Sequence, residues 1–183
     1  SYTDEAIYYL GLALEHIPKS GLWANLNMRL CRFLSKTGLH QRVERIIQDV
    51  LQFAEANEQG VIQLRALKAY TSILYDQSRY KEIVVVAEKY IALSRTMRQR
   101  KHLAQAFSIL ASAQGSLGNY QAEEVALAQA IMLGRESEDD ILVARLTYNL
   151  AIAYVWHQNR PQEAISLLEE SLGLKRLIGD RGG

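Results

Sequence analysis

The residues best suited to chemistry in this chain are its four histidines, His16, His40, His102 and His157, and its single cysteine, Cys31. A catalytic metal asks for further ligands at short helical spacing, as in H-E-x-x-H, and no histidine here is set in such a motif. Cys31 cannot form an internal disulfide, and its apolar neighbours point to a core thiol rather than a nucleophile. Glu123-Glu124 and Asp139-Asp140 fall at helix starts, where carboxylates favour the positive end of the helix dipole. Gly115-Ser-Leu-Gly118 reads as a helix end rather than a phosphate cradle, and no G-x-S-x-G occurs. Catalysis needs convergent groups in one pocket. These residues supply no such set, so the expectation is a non-enzyme with no metal and no cofactor.

The bulk properties narrow the classes further. The 183 residues are 49% hydrophobic and 22% charged, which is ordinary globular composition. The net charge of +1, from 21 basic and 20 acidic residues, speaks against direct nucleic-acid binding, which calls for a marked basic excess. No run of apolar residues is long enough to span a membrane. The opening SYTDEA has neither the charged nor the apolar region of a signal peptide. With one cysteine, a reducing cytoplasm is the expected home. Ser1 is not an initiator methionine, so a fragment of a larger protein is expected.

The elements that would position any site are helices. There are two prolines, and apolar residues recur at three and four rather than at two. The spacing predicts a leading helix over 3–17, with Thr3 or Asp4 as its cap, Ala6, Leu10, Ala13, Leu14 and Ile17 on one face, and Pro18 and Gly21 ending it. Four hairpins follow, at about 22–57, 61–97, 102–135 and 141–178. Their turns share a fixed period of 40: His40, Tyr80, Tyr120 and Arg160 stand at successive nodes. Such a period signals a repeat array. Pro161 suits a first helical position, and Gly179 suits a C-terminal cap.

In the third hairpin Phe107, Leu110, Ala111, Gly118, Asn119, Tyr120, Leu127 and Ala130 carry a recognisable pattern. Leu150, Ala151, Tyr154, Ala164 and Leu168 repeat it in the fourth, and Leu30, Cys31, Leu34 and Gly38 in the first. These hairpins resemble tetratricopeptide repeats, in a long version similar to that of bacterial signalling and transcription regulators and of Leu-Gly-Asn-type adaptors. The second hairpin departs most, with Tyr70 and Thr71 where Leu and a small residue are expected. The resemblance implies an all-α, right-handed solenoid of about nine helices forming one domain over 1–183. Small residues (Cys31, Ala111, Ala151) would let helices approach, and no single hairpin could bury its apolar face alone.

The resemblance also implies that first helices line a concave groove. Its candidates are Asn25, Arg29, Arg32, Arg65, Lys68, Tyr75, Arg145, Tyr148, Asn149 and Trp156, joined by Met28, Lys36, Ser72, Gln105, Ser108, Ser112 and Ser116. The arginines suit bidentate contact with carboxylates. The expected role is a non-catalytic scaffold or sensor that binds a protein or peptide segment of acidic character. The alternative is a small-ligand effector-sensing domain of a transcriptional regulator. Apolar residues at both ends, Ile7, Tyr8, Tyr9, Leu12 and Leu14 in the leading helix and Leu172, Leu174, Leu177 and Ile178 in the last, point to self-association.

Overall fold

A computed structural model describes residues 2–157 and 159–181. Among the described residues there are nine α-helices and no strand: α1 Tyr2–Glu15, α2 Gly21–Leu34, α3 His40–Ala56, α4 Gly60–Asp76, α5 Tyr80–Thr96, α6 Arg100–Ser116, α7 Tyr120–Glu136, α8 Asp140–His157 and α9 Pro161–Arg181. A short 3-10 turn, Ser35–Thr37, extends α2. Two compact units emerge, Ser1–Arg79 with α1–α4 and Tyr80–Gly183 with α5–α9.

The turns explain the regularity. Among the described residues seven have a left-handed backbone: Gly38, Glu58, Ser78, Arg98, Gly118, Glu138 and Asn159, one after each helix from α2 to α8. At most of them the same two bonds recur. Ser78 N–H donates to the Tyr75 carbonyl at 2.9 Å, and Arg79 N–H donates to the Leu74 carbonyl at 2.9 Å. This is the Schellman closure, which satisfies carbonyls left open at a helix end. The joint between two hairpins is built like the joint within one, so each helix takes half of the repeat.

In the first unit, Leu30, Cys31 and Leu34 of α2 pack on Val43 and Ile47 of α3 and Ile73 of α4. Ile7, Leu10 and Leu14 bring α1 onto this core. A second cluster joins Ala24, Val50 and Ala66, covered by Trp23 and Phe53, whose rings meet edge to face at 5.5 Å. In the second unit, alanines dominate the buried positions: Ala104, Ala111 and Ala113 of α6, Ala126 and Ala130 of α7, Ala151 and Ala153 of α8, and Ala164 of α9. Side chains this small bring helix backbones close, while Leu127, Leu146 and Leu150 fill the remaining space.

Several local expectations are corrected. α1 already starts at Tyr2, so Thr3 and Asp4 lie inside it rather than capping it. Ile7 faces the core, and Ala13 is exposed. Gly21 opens α2, and Ser20 caps it by accepting from the Trp23 N–H at 3.2 Å. α9 runs past Gly179, which therefore does not cap it. Pro161 does stand at the first position of α9.

Candidate functional site

Cys31, His102 and His157 are held in structural contacts. Cys31 is buried, and burial pushes its thiol up to about 12, which leaves it protonated and inert at neutral pH. His102 Nδ1 shares a 2.6 Å hydrogen bond with the Tyr90 hydroxyl. His157 stacks flat on Tyr120, with ring centroids 4.1 Å apart. Asp139 accepts from the Leu142 N–H at 3.0 Å and so caps α8. Among the described residues no group of three His, Cys, Asp or Glu side chains could hold a metal.

Two polar clasps went unread in the sequence. In the first unit Glu44 of α3 accepts from the Tyr70 hydroxyl at 2.7 Å and from Arg79 Nη1 at 2.8 Å. The hydrogen bond from Arg79 outweighs burial and holds the Glu44 carboxyl below its usual range. In the second unit Glu124 of α7 accepts from the Tyr154 hydroxyl at 2.6 Å and from Arg160 Nη1 at 2.9 Å. The Arg160 guanidinium lies over the Tyr154 ring at 3.9 Å. Burial first, and Glu124 second, push the Tyr154 phenol up to about 12. The departure at Tyr70 thus has a reason: the phenol completes a clasp between α3 and α4. Glu44 and Glu124 stand two repeats apart, a signal the sequence did contain.

The first unit also carries a cationic face. α2 and α4 touch, and Arg65 Nη1 donates to Asn25 Oδ1 at 2.6 Å across a separation of 40 residues. Asn25 is itself oriented by donating to the Gly21 carbonyl at 2.8 Å. This pair aligns the two helices in register. Arg29 and Arg32 of α2 and Arg65, Lys68, Ser72 and Tyr75 of α4 are all exposed, at helical spacings that place them on adjoining stripes. Lys36 follows, exposed, in the 3-10 turn. Together α2 and α4 hold four cations and one carboxylate, Asp76. Met28, by contrast, packs against the core.

In the second unit the expected groove residues lie on α6 and α8. Arg145, Tyr148 and Trp156 are exposed, and Asn149 is half-buried. Trp156 is 75% exposed, whereas Tyr148 has Lys175 Nζ over its ring at 5.1 Å. Gln105 and Ser112 are half-buried, and Ser116 is exposed. Ser108 is corrected: it is buried and cannot face a partner.

No protein-family model matches the chain. It is 27% identical over 117 residues to the regulatory protein RapK of Bacillus subtilis, a stretch covering 61% of this chain and 31% of RapK. Among solved structures, a Rap protein complexed with competence and sporulation factor superposes with a TM-score of 0.78 at 12% identity, over 94% of this chain and 50% of that one. A Podosopora anserina kinesin light chain with nearly identical TPR-like repeats gives a TM-score of 0.76 at 17% identity, over 94% and 87%. The chain thus spans a third to a half of the Rap proteins it matches. The helical hairpins, their shared turns and these likenesses make it an all-α, tetratricopeptide-like helical repeat chain.

Proposed function

We propose that the chain is a non-catalytic binding module that captures an acidic peptide or protein segment on the α2–α4 face. It would work in the cytoplasm as part of a larger bacterial regulatory protein. One observation carries the reading: the Arg65–Asn25 hydrogen bond sets α2 and α4 in register, so that Arg29, Arg32, Arg65 and Lys68 form one cationic surface. Arginine forks bind carboxylates bidentately, and a helix pair offers them at fixed spacing. The likeness to RapK, a regulatory protein, supports the regulatory role. Arg145, Asn149 and Trp156 are proposed as a separate contact surface within the second unit.

The test is fluorescence anisotropy with a labelled Asp/Glu-rich peptide. Arg32→Glu together with Lys68→Glu should lower affinity at least about tenfold, a loss of about 1.4 kcal/mol. The far-ultraviolet melt should stay unchanged, because both side chains are exposed. Normal binding by that variant would dismiss this face.

A second reading, small-ligand sensing, is favoured by a cleft of about 420 Å³ in the second unit, lined by Ile131, Met132, Thr147, Leu150 and Leu167. The Thr147 hydroxyl is fully buried there without a hydrogen-bond partner. A thermal-shift screen of small molecules tests it, since a ligand bound only to the folded state raises the midpoint.

A further inference from the structure

Thr147 of α8 puts a hydroxyl on the floor of the cleft in the second unit. The residue is fully buried, and its Oγ1 has no hydrogen-bond partner. A helical threonine can satisfy this group on a carbonyl three or four residues earlier. Thr71 of α4 does so, donating to the Lys68 carbonyl at 2.8 Å. Ser171 of α9 is also buried, and it donates to the Ala144 carbonyl at 2.7 Å. A buried hydroxyl left open is costly, so the one at Thr147 calls for a partner that the fold itself does not supply.

The surroundings of this hydroxyl narrow the partner. Ala128, Ile131 and Met132 of α7 and Leu167 of α9 wall the cleft, and Leu150 joins Thr147 beneath them. Arg135 Nη2 of α7 donates to Glu170 Oε1 of α9 at 2.6 Å, which sets the two helices side by side along the cleft. At the rim the carboxylates of Glu136 and Glu170 outnumber the Arg135 guanidinium. The depth is thus apolar with one uncharged hydrogen-bonding group, and the rim is weakly anionic.

We infer that the cleft takes an uncharged amphiphile, an aliphatic chain ending in a primary amide or a hydroxyl, with that end on Thr147. This rests on the reading of the cleft as a small-ligand site. A space of about 420 Å³ suits a small molecule. The threonine hydroxyl can both donate and accept, so an amide uses both capacities. A carboxylate or an ammonium at the same place would lose its hydration against a floor without a counter-charge. Met132, 47% exposed, stands at the mouth, and its unbranched side chain can turn aside to admit the chain.

The experiment is equilibrium dialysis of the protein against octanamide, octanoate and octylamine, with the variants Thr147→Val and Ala128→Phe. Wild type should bind octanamide saturably and at least about tenfold more tightly than either charged probe. Thr147→Val keeps the shape and removes the hydroxyl, so the preference for the amide should vanish. Ala128→Phe fills the cleft from an exposed position and should bind none of the three. A thermal melt without ligand gives a second readout. Thr147→Val should melt at or above wild type, because it deletes an unpaired buried hydroxyl. A lower midpoint overturns the inference, since the hydroxyl then has a partner within the fold. Equal binding of octanamide and a charged probe, or a preference kept by Thr147→Val, overturns the ligand class and leaves the cleft as a site if Ala128→Phe blocks it. No binding of octanamide, or binding that survives Ala128→Phe, overturns the cleft reading and the inference together.

Discussion

Glu44 and Glu123 are two carboxylates of the same kind, titrating in opposite directions. Glu44 is held below its usual range by Arg79. Its contribution to stability is therefore present above the unfolded-state pKa and lost as pH falls through the lower, folded value. Glu123 is half-buried against Gly115, where its Oε2 finds no hydrogen-bond partner. Burial raises its pKa, partly offset by His157. For a raised carboxyl the advantage lies on the acid side and disappears as pH rises through the folded value. Two substitutions should separate these effects in urea denaturation across pH. Glu44→Gln should lower stability at neutral pH and converge on wild type in acid. Glu123→Gln should raise the neutral-pH midpoint and make little difference in acid. Like signs for the two would refute this assignment. The burial of Glu123 was not legible in the sequence, since Gly115 makes room for it only once α6 and α7 are side by side.

At the scale of elements, the turns hold reserve stability. Ser78 and Glu138 occupy left-handed positions, with φ of 56° and 51°, where glycine fits without strain. Ser78→Gly and Glu138→Gly should each stabilise by about 0.5–1 kcal/mol, read as an increase in the urea midpoint. Ala111, only 1% exposed, tests the opposite limit. Ala111→Trp should destabilise by about 3 kcal/mol through overpacking, which a far-ultraviolet melt would register. Helix type and the small–large alternation were legible because Cys31, Ala111 and Ala151 stand in phase with Leu30, Leu110 and Leu150. The half-repeat was not legible. Gly38, Gly118 and Asn159 mark left-handed turns by residue type, while Glu58, Ser78, Arg98 and Glu138 hide them. The clasps escaped for a related reason: Tyr70 and Tyr154 reach their glutamates from different turns of α4 and α8, so no fixed offset connects the two sets.

The whole molecule has a net charge of +1, yet charge is unevenly shared. α1 has carboxylates and no lysine or arginine, and α2 has arginines and no carboxylate. A nearly neutral total therefore says little about partners; its arrangement does. The exposure of the arginines of α2 and α4 was legible in the first unit. Exposure was less legible in the second, where Ser108 turned inward and Tyr148 met Lys175. We propose that the chain behaves as one cooperative domain. With Trp156 replaced by Phe, fluorescence reports Trp23, in the first unit, while circular dichroism reports all helices. Coincident urea transitions would support one domain, and separate transitions would split it.

The sameness of the joints has a further consequence, which concerns parity. Successive helices in a hairpin array alternate between lining and backing, and where the turns share this closure nothing in their backbone records which is which. That identity lives in the side chains alone. Losing one helix with its turn would leave every remaining joint sound but exchange the roles of all helices beyond it in the same unit. Buried alanines would then face water and exposed cations would face the core. Length can therefore change in this architecture by pairs of helices, while single steps are penalised by burial rather than by chain geometry. The hairpin is a unit of inheritance here because of its pattern of side chains, although the helix with its turn is the unit of construction.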